Sequence, residues 1–221
     1  MKFLLASMKA KRSLQLRFFC MFGSAKRSLQ LRFLCFLLCL IPIPAYPQDN
    51  FYSRLSDAAI ELTRQHVDYD SRYFTISYPN GDIPANKGVC TDVVIRAYRK
   101  LGIDLQKEVH EDMAAHFRAY PKLWGLHRTD KNIDHRRVPN LMVYFTRFGT
   151  VKPITTNPGD YVPGDIVCWN LGGAVTHIGI VVNRKSADGK RYLVVHNIGR
   201  GQVLEDCLFT FKIIGHYQYR L

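Results

Sequence analysis

The chain reads as an α+β domain, with helices first and an antiparallel sheet afterwards. Two observations carry this reading. Leu55, Ala58, Ala59 and Leu62, then Val93, Val94, Ala97, Tyr98 and Leu101, recur at helical spacing. After Pro163-Gly164-Asp165 the pattern changes to short apolar and β-branched runs at 165–169, 176–183 and 191–197, with a last one near 213–219. Helical and strand patterns that separate along the chain, rather than alternate, argue for α+β.

The elements follow in order. Residues 53–66 read as a first helix. Tyr73-Phe74-Thr75-Ile76-Ser77-Tyr78 precedes a turn-rich segment over 79–84. A second helix opens at Cys90 and is stopped by Gly102, and a third covers about 105–118, ending before Pro121. Residues 120–138 are polar and aromatic without a clean period, so a long loop is expected there, and loops of that length often carry function. Leu141, Tyr144, Phe145 and Phe148 mark a short helix capped by Gly149. Ser186-Ala187-Asp188-Gly189 fits a hairpin turn between the strands at 176–183 and 191–197.

Residues 1–45 differ in composition from the rest. They hold eight Lys/Arg and no acid, and end in an apolar stretch over 33–41 followed by Ile-Pro-Ile-Pro-Ala. That stretch is too short to span a membrane and suits a secretory signal peptide, cleaved near Ala45; an uncleaved anchor is the alternative. Residues 10–18 recur as 25–33, which fits a tandem duplication or a true start at Met21. The expectation is therefore one folded domain over 46–221 in a periplasmic or secreted protein. Removing the eight leader bases from 31 leaves 23 basic against 18 acidic residues, about +5. That balance is too mild to argue for nucleic acid, and it is compatible with weak attraction to an anionic polymer such as a cell wall.

Three of the six cysteines lie in the leader, leaving Cys90, Cys168 and Cys207. Export permits disulfides, and an odd count leaves at least one thiol free unless chains pair. Either Cys168 and Cys207 are bonded or they are separate buried thiols. No Cys-x-x-Cys pair is present, so no metal site is expected. His110, His116, His127 and His216 share no metal-like pattern and are expected at the surface.

Cys90 carries the strongest chemical signal. A thiol at a helix start feels the partial positive charge of unpaired backbone N–H groups, which favours the thiolate. Two histidines follow on strand-like runs, His177 in Thr176-His177-Ile178-Gly179 and His196 in Val194-Val195-His196-Asn197. His177 can take the thiol proton and a polar neighbour can orient it. His196 and Asn197 point to opposite faces of a strand, so only one can do so, and His196 is chosen. Asp92 can cap the helix start or bind a substrate amine. Asp134, His135, Arg136 and Arg137 lie in the long loop, where arginine suits bidentate contact with a carboxylate.

These stretches also carry a resemblance. Gly81-Asp82-Ile83-Pro84, Gly88-Val89-Cys90-Thr91-Asp92, Asn132-Ile133-Asp134-His135-Arg136, Pro163-Gly164-Asp165, His177-Ile178-Gly179 and His196-Asn197-Ile198-Gly199 span most of residues 53–220. In that order they resemble the YijF-like bacterial proteins catalogued as a domain of unknown function, a divergent branch of the papain-like NlpC-type cysteine peptidases and amidases. The resemblance implies a papain-like fold with Cys90 as nucleophile, His177 as base and His196 as orienter. It also implies Tyr78 as the tyrosine that such enzymes place about a dozen residues before the cysteine. The chain departs from the usual Asp-Cys-Ser-Gly, with Asp92 at the glycine position. The gap of 87 residues from cysteine to histidine leaves room for an insertion at about 103–160.

The expectation is an exported, monomeric cysteine amidase or peptidase acting on peptidoglycan peptides, with no cofactor. A non-catalytic cell-wall binding or scaffold protein, and an acyl or peptidyl transferase using the same nucleophile, are the alternatives.

Overall fold

The computed structural model describes residues 51–221; the leader, its repeat, its cleavage point and the start at Met21 lie outside the described residues. Among the described residues four α-helices precede the main sheet: α1 (Phe51–Leu62), α2 (Cys90–Lys100), α3 (Leu105–Ala115) and α4 (Val138–Phe148). Between α1 and α2, two-residue strands β1 (Asp68–Tyr69) and β2 (Lys87–Gly88) pair in parallel. The strands β3 (Thr150–Val151), β4 (Ile166–Gly172), β5 (Val175–Lys185), β6 (Tyr192–His196), β7 (Val203–Glu205) and β8 (Lys212–Gln218) follow. They form one antiparallel sheet in the order β3-β8-β4-β5-β6-β7. The α+β class holds. Among the described residues, no helix is long and apolar enough to cross a membrane.

Strand alternation divides the core in two. Ile178, Ile180 and Val182 of β5 meet the helices, where Val93, Val94, Ala97 and Tyr98 of α2 are fully buried. The residues between them face the other way: Val181 joins Val167, Trp169, Val194 and Leu208 in a second, smaller core. Each such apolar side chain contributes about 1.5–3 kcal/mol by leaving water, so the two-sided β5 fixes the register of the sheet.

The helix ends follow from local chemistry. Asp92, three residues into α2, turns its carboxylate back to accept the Val89 N–H at 2.7 Å. Asp104 caps α3 by accepting from the N–H groups of Gln106 and Lys107. The third helical stretch is shorter than expected, ending at Ala115 and followed by a 3-10 turn at Phe117–Ala119. The loop over 120–138 holds one further 3-10 turn, Asp134–Arg136. At Gly164 φ is +92°, and a Cβ there would lie 2.5 Å from that of Tyr52. Only glycine lets the Pro163-Gly164-Asp165 turn lie so close to α1.

One alternative is decided here and one expectation changes. Cys168 lies in the helix-side core and Cys207 in the other, so the sheet separates them; all three described cysteines are free and buried. His216, expected at the surface, is 1% exposed. Its Nε2 lies 2.7 Å from Asp165 Oδ2 and its Nδ1 lies 2.9 Å from the Pro153 carbonyl oxygen. The acid of the Pro-Gly-Asp turn thus holds the last strand from inside.

Candidate active site

Cys90 is the first residue of α2, delivered by the pairing of Tyr69 in β1 with Gly88 in β2. The backbone N–H groups of Ile178, Thr91 and Cys90 point at its sulfur and favour the thiolate, but burial outweighs them and pushes the thiol up to about 12. The resting side chain is therefore a neutral thiol. Its outlet is a cleft of about 190 Å³ whose walls include Tyr69, Trp124, Arg137, Pro139 and Thr176.

The expected base lies beside this thiol through the backbone. Ile178, whose N–H faces the sulfur, directly follows His177. The His177 ring itself lies on the second-core face of β5, 5.7 Å from the Trp169 ring. Its Nε2 is 2.8 Å from His196 Nδ1, and His196 Nε2 is 3.0 Å from Glu205 Oε2. Gly179 makes this possible, since a Cβ there would lie 2.7 Å from Val194 Cγ1 and 3.1 Å from His196 Cβ. Among the described residues no hydrogen bond joins Cys90 to His177: Cys90 packs on the helix side of β5, the His177 ring lies on the other face, and His177 is not part of the cleft wall, so the structure does not bring the expected base to the thiol.

The order of protons in the relay follows from Glu205. A carboxylate only accepts, so His196 Nε2 carries the hydrogen and donates to Glu205. His196 Nδ1 is then the acceptor, and His177 Nε2 must donate to it. That leaves Nδ1 of His177 unprotonated, with no hydrogen bond among the described residues. Burial foremost, and the neighbouring His196, push His177 down to about 3. Burial also lowers His196, opposed by Glu205. Both rings are neutral at neutral pH, and His177 Nδ1 is a lone pair available to a proton.

It is His196 that touches His177. Asn197, on the opposite face, donates from Nδ2 to the Gly88 carbonyl at 3.1 Å and fixes the strand that leads into Cys90. Asp92 and Arg136 are bound to each other: Arg136 Nε and Nη2 donate to the two Asp92 oxygens at 2.9 and 3.0 Å, and each side chain is 2% exposed. With Val89 N–H on the same carboxylate, Asp92 has no oxygen turned to a substrate amine. The departure from glycine at position 92 is a buried ion pair that ties the long loop to the nucleophile helix.

Three other candidates stand away from the cleft. The Tyr78 hydroxyl donates to Glu111 at 3.2 Å and its ring meets His110. Asp134 is fully buried, accepting from the Asp130 N–H and facing His110 Nδ1 at 2.9 Å, and burial raises its carboxyl. His135 is 1% exposed and pushed down to about 3, chiefly by burial and then by the Arg136 charge.

The sequence did not single out Tyr69, Thr176, Trp124 or Glu205. The Tyr69 hydroxyl is raised by burial first and then by the nearby Cys90 and Asp92. Arg136 and Arg137 both line the cleft, but the Arg136 guanidinium is taken up by Asp92; that of Arg137 is not. The Arg137 guanidinium lies 4.4 Å from the Trp124 ring centroid, and its Nη1 is buried without a hydrogen-bond partner. Trp124 is 59% exposed at φ +58°, a costly backbone state for a bulky residue. An exposed aromatic in the loop was the available signal.

A family model described as Domain of unknown function (DUF1287) matches residues 56–219. The Escherichia coli (strain K12) protein called "Uncharacterized protein YijF" is 48% identical over 172 residues, which cover 78% of this chain and 83% of that protein. Two crystal structures of an N-acetylmuramoyl-L-alanine amidase from Bacteroides uniformis ATCC 8492 align with TM-scores of 0.48 and 0.43, both at 14% identity. These alignments cover 76% and 77% of this chain and 97% and 100% of theirs. The Cys90, Asp134–Arg136, His177 and His196 segments all lie inside the matched region, and the chain belongs to the DUF1287 family.

Proposed function

We propose that this chain is an exported cysteine amidase or peptidase of papain-like, NlpC-type build, cleaving an amide bond in a peptidoglycan peptide. The observation that carries the reading is the relay Glu205–His196–His177, which ends in an unprotonated Nδ1 on the residue next to the N–H that faces Cys90 Sγ. The step requires the His177 ring to leave the second-core face of β5 and reach Cys90 when substrate enters. The Cys90 proton passes to His177 Nδ1, and the sulfur bonds to the amide carbon. His177 then returns the proton to the leaving nitrogen as the C–N bond breaks. Water hydrolyses the resulting thioester by the reverse use of His177, releasing the acid and the free thiol.

Burial supports a deferred charge separation. Thiol and imidazole are both shifted toward their neutral forms, so the ion pair forms only when the carbonyl is there to take up the sulfur. The Tyr69 hydroxyl on the cleft wall is positioned to donate to the carbonyl oxygen as it becomes an oxyanion. Arg137 Nη1 offers a free donor for a carboxylate of the substrate peptide. The leader composition is the ground for export to the periplasm or beyond.

Incubating the protein with muropeptides and resolving the products by mass spectrometry tests the reading. The expected result is a new free amine and carboxylate in the substrate, absent with Cys90→Ala. An intact substrate pool, or cleavage that survives Cys90→Ala, would overturn it.

A further inference from the structure

The far end of the relay holds more ligand atoms than a relay needs. Cys207 Sγ lies 3.5 Å from His196 Nε2, the same nitrogen that faces Glu205 Oε2 at 3.0 Å. One nitrogen, one sulfur and one carboxylate oxygen thus converge within 4.8 Å of one another. We propose that His196, Glu205 and Cys207 form a binding site for a borderline-soft divalent cation of the Zn2+ type, with water in the fourth position.

The geometry matches the ion. Zn–N, Zn–O and Zn–S bonds of about 2.0–2.3 Å in a tetrahedron give ligand-to-ligand edges of roughly 3.3–3.6 Å. The observed His–Cys separation falls in that range, the His–Glu separation needs to open by a few tenths of an ångström, and the Glu–Cys pair, within 4.8 Å, closes onto the ion by up to about an ångström through the partly exposed Glu205 side chain. The three residues come from fixed places: His196 ends β6, Glu205 ends β7 beside it, and Cys207 follows two residues on. His196 and Cys207 are buried, whereas the Glu205 side chain is 27% exposed, so one side of the site is open. Arg200 Nη2 holds the other Glu205 oxygen at 2.8 Å, and His177 holds the other His196 nitrogen. Ligands of a metal are commonly oriented by such outer partners. Binding releases the Cys207 thiol proton to solvent as the S–metal bond forms.

Occupation has a consequence for the relay, and this step rests on the proposed function. A metal on His196 Nε2 displaces the hydrogen to Nδ1, which then donates to His177 Nε2. His177 must now carry its hydrogen on Nδ1, the nitrogen that receives the Cys90 proton. Metal binding therefore reverses every tautomer in the relay and blocks the base without touching the cleft.

Equilibrium dialysis of the full chain and its Cys207→Ser variant against Zn2+, with Co2+ absorption spectra of both, tests the site. The wild type is expected to hold one more equivalent of Zn2+, or to hold it at least about tenfold more tightly. The Co2+ difference spectrum should show a thiolate charge-transfer band and tetrahedral d–d bands. Equal affinities, or a difference spectrum without the thiolate band, would overturn the site. With muropeptide cleavage as the second readout, Zn2+ should inhibit the wild type and spare Cys207→Ser. Binding without that selective inhibition would overturn the tautomer switch and leave the site standing. Binding by a protein that cleaves nothing with or without metal would instead count against the hydrolase.

Discussion

Arg136 grips the Asp92 carboxylate with two parallel hydrogen bonds, 2.9 and 3.0 Å long, where neither side chain meets water. The pair joins the Asn132-Ile133-Asp134-His135-Arg136 stretch to the helix turn that carries Cys90. Removing one member leaves a buried charge unpaired, which typically costs about 3–5 kcal/mol. Arg136→Met should therefore destabilise the domain by that order, and Asp92→Asn should recover part of the loss in the double variant. Urea unfolding of the two single variants and the double variant measures the coupling; strictly additive losses would show that the pair does not act as a unit.

Acid should unfold this domain earlier than its carboxylates alone require. His135 and His177 both sit at about 3 in the folded chain, against about 6.5 for a free imidazole. Between those values the unfolded state binds protons that the folded state refuses, so stability rises with pH through the window and is lost as pH falls from about 6.5 toward 3. Each histidine contributes up to about 1.4 kcal/mol per pH unit. Unfolding free energies at pH 7 and pH 5 should differ by roughly 2 kcal/mol or more, and His135→Phe should remove part of that slope. A stability that is flat from pH 7 to pH 5 would contradict the burial of both rings.

The same depression of His177 sets the acid limb of the reaction. A base that protonates near 3 keeps its lone pair far below neutrality, so kcat/KM should hold its value through pH 6 and fall only well below it. Glu205 is the test of the relay. Glu205→Gln keeps the shape but lets position 205 donate as well as accept, which loosens the tautomer order. The expected loss is roughly tenfold to a hundredfold in kcat with little change in KM, smaller than the ~10²–10⁴ of the base itself. A matching loss in KM would assign Glu205 to substrate binding.

Some of this was legible along the chain because it is local. The apolar period of α2 and its end at Gly102 can be read from a dozen residues. So can the strand runs around His177 and His196 and the turn at Ser186–Gly189. The choice between His196 and Asn197 follows from alternation once one strand face is known. Glu205 was not legible: β7 has three residues, too few for a period, and its place beside β6 is set by long-range pairing. The family resemblance implies Tyr78 beside Cys90, but the chain loops out between them. The parallel pairing of Tyr69 with Gly88 brings the earlier tyrosine to the cleft instead. Arg136 and Arg137 look alike in sequence and differ only in which way each side chain turns, one to Asp92 and one to Trp124.

That last difference gives a prediction in which stability and function move oppositely. Trp124 holds φ +58° while 59% exposed, and Arg137 lies against its ring with Nη1 unpartnered. A non-glycine residue held in this region typically costs about 1–3 kcal/mol. Trp124→Gly should recover part of that strain and raise the unfolding midpoint, while removing the platform that aims Arg137 into the cleft. For a substrate peptide with a free carboxylate, KM should rise in Trp124→Gly, and rise further in Arg137→Ala. The same peptide with that carboxylate amidated should bind wild type and variants alike. Steady-state kinetics on the paired peptides decides the point: equal KM changes for both forms would show that Arg137 does not read the carboxylate.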